Sequence, residues 1–89
     1  MLEDIIEEVR LERIRQDDRF GWPRAHEPSW WLTILAEEFG EYARDVCERA
    51  FEEGRYKENM RTELIQIAAV AIAAIEDLDL QDKNDDVWA

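Results

Sequence analysis

From residue 65 to residue 75 every side chain except Gln66 is apolar. A helix built from such a stretch has no polar face to turn to water, so it must be covered on every side. The run is also too short to cross a bilayer, which takes about 20 apolar residues. It therefore reads as a buried core helix. In a chain of 89 residues only one domain can form around it, and a domain of that size leaves much of its surface wet. With 46% hydrophobic residues and four Trp, the chain carries more apolar surface than three helices can hide by packing on one another. The expected solution is an all-α helical bundle of three main helices completed by further copies of the chain, as a homodimer or homotetramer.

Breaks occur between Gly21 and Pro28 and again at Gly54, and no alternating apolar pattern of strand length is found. A first amphipathic helix is expected over residues 2–19, where Leu2, Ile5, Ile6, Val9 and Ile14 fall at helical spacing. Acidic residues near its start and Arg toward its end suit the helix dipole. Ser29 is an expected N-cap for a second helix running from residue 30 to about residue 53, stopped by Gly54. On this helix Leu35, Phe39, Tyr42 and Val46 form one stripe, expected to be core, and Ile34, Glu38, Glu41 and Asp45 form its neighbour. A third helix is expected over residues 57–80, and the polar segment 81–89 as a fraying tail.

Charge limits the partners. Eleven basic residues stand against 23 acidic ones, for a net charge of −12, which opposes attraction to a nucleic-acid backbone or an anionic membrane. Polymeric nucleic acid and membrane are therefore not expected partners. A single nucleotide remains possible if a divalent cation intervenes and reverses the local field. Cys47 is the one cysteine, so no intrachain disulfide can form, and the first residues do not resemble a signal peptide. A cytoplasmic location is the expectation.

Glu38 and Glu41 are spaced i and i+3, on one helix face and close enough to share an oxygen-seeking cation. Glu63 and Gln66 repeat that spacing on the third helix. Two antiparallel helices meeting through these faces would converge four oxygen-bearing side chains, a set suited to Mg²⁺ or Mn²⁺. Solvated surface is the alternative for the carboxylates. Gln66, as a buried amide, must bond to a backbone carbonyl, to its symmetry mate in an oligomer, or to the metal site through water. Trp31 is either a stacking surface beside the carboxylates or core, and Phe20, Trp22 and Trp30 read first as packing. His26, in a loop rich in aromatics and prolines, is a candidate substrate contact. Lys57 and Arg61, just before Glu63, are either phosphate contacts or a solvated helix start.

The segment Trp31-Leu32-x-Ile34-Leu35-x-Glu37-Glu38-x-Gly40-Glu41, followed by Arg61-x-Glu63-Leu64-Ile65-Gln66-Ile67-Ala68-Ala69-Val70-Ala71, resembles the MazG-like all-α nucleoside triphosphate pyrophosphohydrolases. Residues 15–21 resemble the stretch ahead of the motif in small phage and bacterial members. The resemblance implies a magnesium-dependent enzyme that converts nucleoside triphosphates to the monophosphate and pyrophosphate, cleansing the nucleotide pool. It implies Glu38, Glu41 and Glu63 as metal ligands and Glu37 as a supporting acid or the group that orients the attacking water. At the fourth ligand position, where the family carries Asp, this chain has Gln66, which offers one neutral carbonyl oxygen. A non-catalytic helical module that binds a nucleotide or a partner protein is the second expectation, and a purely structural helical dimer the third.

Overall fold

The computed structural model describes residues 1–49 and 56–82. Three helices run in order, α1 (Leu2–Phe20), α2 (Pro28–Arg49) and α3 (Tyr56–Gln81), and the described residues contain no strand. The expected end of the second helix near residue 53, its stop at Gly54 and the tail from residue 83 lie outside the described residues.

Each helix end has a local cause. α1 opens with Glu3 and Asp4 in its first turn and closes with Arg19 in its last, matching the partial charges of the helix termini. It stops at Gly21, whose φ of 86° and ψ of 160° are open only to a residue without Cβ, and whose N–H donates to Asp17 O at 2.8 Å. α2 starts at Pro28, so Ser29 is inside the helix rather than its N-cap. Proline suits a first helical position because it has no N–H to leave unpaired. The Glu27 carbonyl accepts from the N–H groups of Trp30 and Trp31, at 2.9 and 3.3 Å. α3 continues through Gln81, which is buried and does not belong to a fraying tail.

α3 is the centre of the molecule. Among the described residues it packs against both α1 and α2, which do not pack against each other. Ala69 and Ala73 are fully buried on it, small enough to let the flanking helices approach closely. The core joins Val70 and Ala73 of α3 to Trp31 of α2, with Trp22, Ile34, Leu35 and Ala74 packed around them.

The third helix is not covered on every side within one chain, because two neighbours reach only two of its flanks. Leu64, Ile72 and Ile75 stay exposed, Ile75 at 57%. α1 likewise leaves Ile5, Ile6 and Ile14 exposed and buries Val9, Arg13 and Gln16. α2 is rolled relative to expectation. Phe39 and Val46 of the apolar stripe are exposed, while Trp31, Ile34, Leu35, Glu38, Tyr42 and Asp45 form the inward face. Glu38 and Asp45 of the acidic stripe are thus half-buried in the helix interface, while Glu41 is exposed at its edge. Among the described residues no helix is long and apolar enough to cross a membrane.

Candidate functional site

Because α1 and α2 flank α3 without touching, a cleft opens between them with α3 as its floor. It holds a cavity of about 610 Å³. Gln66 and Val70 form its floor, Ile34, Glu37, Glu38 and Glu41 one wall, and Arg15, Gln16 and Arg19 the other. Phe20, Arg24, His26 and Trp30 close one end.

Glu38 and Glu41, one helical turn apart on α2, meet Glu63 on α3, each offering a carboxylate oxygen within 4.8 Å of the others. The cost of gathering these charges is visible in their protonation. Glu38 is raised above the ordinary carboxylate range by burial, then by the charges of Glu41, Glu12 and Glu37, with Arg15 pulling the other way. Glu63 is pushed up to about 7 by burial, by a hydrogen bond with Glu41 and by the charges of Glu41, Glu38 and Asp45. Glu63 therefore keeps its proton well above the ordinary carboxylate range unless another positive charge joins the group.

Gln66 takes part directly. With its amide turned to satisfy both neighbours, its nitrogen lies 3.2 Å from Glu38 Oε2 and 3.1 Å from Glu63 Oε2. The amide thus meets two of the carboxylates directly, a contact not among the three partners expected from sequence. The donor set consists of three carboxylates and one amide that can present its carbonyl after rotation. Oxygen-only donors of this kind fit a hard divalent cation such as Mg²⁺ or Mn²⁺, and the raised carboxylate protonation gives such a cation a proton to displace.

Opposite the acids the cavity is lined by arginines. Arg15 forks onto Glu12, with contacts of 2.8 and 2.6 Å, and this pairing holds Glu12 below the usual carboxylate range. The Arg19 guanidinium sits over the Phe20 ring at 4.9 Å. Arg24 is boxed among aromatic rings, 5.3 Å from the Trp31 centroid and 5.7 Å from that of Phe20, and approaches Asp17 at 3.6 Å. Phe20 and Trp30 keep more than half their surface open, and with Arg19 over the Phe20 ring it is Trp30 that offers an accessible face to a planar ligand.

The sequence-derived candidates divide accordingly. Glu37, Glu38, Glu41, Gln66 and His26 line the cavity, and Glu63 joins the carboxylate trio. Trp31 does not face it. The indole is buried at 4% exposure and its Nε1 donates to Asp77 Oδ2 at 2.6 Å, so both its faces and its polar edge are used in packing. Lys57 and Arg61 line a separate groove with Tyr42, Val46, Met60 and Leu64. Arg61 instead forks onto Glu8 of α1, with Nη1 to Oε1 at 2.8 Å.

Arg15 and Arg19 had no role expected from sequence, whereas the loop that carries Arg24 and His26 was expected to line a site. The available signal was the density of arginines in residues 13–24 next to a metal-type motif. Which of them face a cavity depends on the gap between α1 and α2, which no local pattern encodes. No family model matches the chain, and no curated protein or solved structure is significantly similar to it.

Proposed function

We propose that the chain is a magnesium-dependent nucleoside triphosphate pyrophosphohydrolase, converting a ribo- or deoxyribonucleoside triphosphate to its monophosphate and pyrophosphate. The observation that carries this reading is the polarity of one cavity: Glu37 with Glu38 and Glu41 of the carboxylate trio on one side, arginines on the other and exposed aromatic side chains at the end. A nucleoside triphosphate has the matching parts, namely a polyanion that brings a cation with it and a planar base. The reading also rests on the resemblance of residues 31–41 and 61–71 to the MazG-like enzymes, and it includes their all-α pyrophosphatase fold.

In this reading Glu38, Glu41 and Glu63 hold the cation, with Gln66 as a fourth oxygen donor. The bound cation would neutralise phosphate charge and make water a stronger nucleophile. Glu37, on the same wall and outside the trio, accepts the proton of the attacking water. One water is consumed as the bond between the α- and β-phosphates breaks, and pyrophosphate leaves with the bridging electron pair. Arg15 and Arg19 offset the charge that gathers on the leaving group. Trp30 and His26 receive the base.

Self-association belongs to the same proposal. Ile5, Ile6, Ile14 and Ile72, all exposed, line one apolar groove between α1 and α3 that a second copy would remove from water. Gel filtration with light scattering tests this directly, and a monomer at micromolar concentration contradicts it.

One observation favours a second reading, a module that binds a nucleotide or partner protein without turnover. With its amide turned toward the carboxylates, Gln66 donates to Glu38 and Glu63, a neutral substitute for part of a cation's role. Incubation of wild type with Mg²⁺ and nucleoside triphosphates separates the two: pyrophosphate release supports the enzyme, and saturable binding without release supports the module.

A further inference from the structure

Asp77 is the most buried large side chain of the described residues, at 2% exposure, and lies outside the carboxylate trio. A buried carboxylate is retained only if its oxygens are well supplied with donors. Here the donors come from three parts of the chain. Trp31 Nε1 of α2 and the His26 backbone N–H both donate to Oδ2, at 2.6 and 2.9 Å, and Gln81 Nε2 donates to Oδ1 at 3.0 Å. The preceding residue, Glu76, accepts from Arg13 Nη1 of α1 at 2.6 Å. Two adjacent acids of α3 therefore tie down one flanking helix each, at the end of the cleft away from Glu63.

What Asp77 fixes is the aromatic end of the cavity. The His26 ring packs edge-on against Trp31, with centroids 5.0 Å apart, and lies 6.0 Å from the Trp30 ring. His26 and Trp30 line the cavity, whereas Trp31 and Asp77 do not. We infer that Asp77 is a positioning residue for nucleotide recognition, setting the base-binding wall by anchoring the His26 backbone and the Trp31 indole to α3. The inference rests on the nucleotide reading given above. Asp77 touches neither the carboxylates nor the ligand, so its effect falls on binding and leaves the chemical step alone.

The test is a steady-state comparison of wild type, Asp77→Ala and Asp77→Asn with Mg²⁺ and the best nucleoside triphosphate of a panel. Asp77→Ala releases the wall, and KM rises about tenfold while kcat stays within about threefold, the pattern of lost uniform binding. Asparagine keeps an oxygen for His26 and Trp31, and Gln81 can turn its amide to accept from the new NH₂, so Asp77→Asn restores KM to within about threefold of wild type. An unchanged KM in Asp77→Ala, a loss confined to kcat, or Asp77→Asn as impaired as Asp77→Ala overturns the inference.

If Asp77→Ala does not fold, His26→Pro and His26→Ala replace it. Both remove the imidazole, and only proline removes the N–H that Asp77 accepts. A KM about fivefold higher in the proline variant is expected, and equal values overturn the proposal. Wild type without metal-dependent turnover ends the nucleotide reading and this inference with it. Turnover with an unaltered Asp77→Ala ends the inference alone.

Discussion

The Gln66 amide nitrogen on α3 stands 3.2 Å from Glu38 Oε2 on α2, so a neutral side chain supports a carboxylate where a fourth carboxylate would repel it. Replacing it with Asp removes two donors and adds a charge to an already crowded trio. Gln66→Asp is expected to melt at a lower temperature than wild type in chelator near neutral pH. It should then gain more from added Mg²⁺, with cation affinity at least about tenfold higher, about 1.4 kcal/mol. Calorimetric titration with Mg²⁺ and melting curves with and without chelator check both parts.

The crowding around Glu63 gives the cation-free protein a pH-dependent stability. Its folded pKa, about 7, lies above the ordinary 4.5, so the folded state holds a proton that the unfolded chain has released. Stability from this proton is complete below the unfolded value and is lost as pH rises through the folded one. Unfolding free energy in chelator should fall by about 1–2 kcal/mol from about pH 5 to about pH 8, after allowance for solvent screening of a half-buried group. Saturating Mg²⁺ should flatten that slope, as denaturant melts at the two pH values will reveal.

At the other end of α3 the sign reverses. Burial works against the Asp77 charge, but hydrogen bonds from Trp31, the His26 backbone and Gln81 outweigh it and hold the carboxyl below its ordinary value. Its contribution is present above the unfolded carboxylate pKa and disappears as pH falls through the lower folded one. Trp31→Phe takes away the 2.6 Å donor and is expected to cost about 1–3 kcal/mol at neutral pH. Urea melts of the two proteins measure the difference, which should shrink in strong acid.

Gly40 lies inside α2, and a Cβ built on it would meet nothing within 4 Å. In an open helical position glycine gives up more backbone entropy on folding than alanine does. Gly40→Ala should therefore stabilise the protein by about 0.5–1 kcal/mol, read as a higher denaturant midpoint at unchanged slope. A destabilised variant would contradict this.

The three helices and the i, i+3 carboxylates are local features legible in the sequence, although Ser29 lies inside α2 and Gln81 belongs to α3. Periodicity and the Gly21 and Pro28 breaks separate α1 from α2, and helical geometry alone brings Glu38 beside Glu41. What faces what was harder to read. Trp31 and Trp30 are neighbours in a helix, and Trp31 is the buried one because Asp77, 46 positions away, accepts from its indole. Phe39 and Val46 look like core by spacing, yet α2 turns Glu38 and Asp45 toward α3 instead. The arginine wall depends on the unfilled gap between α1 and α2, a property of the assembled bundle. Arg61 and Arg15 each fork onto a carboxylate of α1, Glu8 and Glu12, but only Arg15 lines the cavity.

The most direct test of the central proposal is pyrophosphate release from a panel of canonical and modified nucleoside triphosphates, with Mg²⁺ or Mn²⁺, by wild type and Glu38→Ala. Glu38 belongs to the trio and lines the cavity, so its loss strikes the cation and the substrate together. Wild type should yield monophosphate and pyrophosphate in equal amounts only when the cation is present, and Glu38→Ala should lower the rate at least about 100-fold. No release from any nucleotide with either cation, or a Glu38→Ala variant as active as wild type, would contradict the proposal.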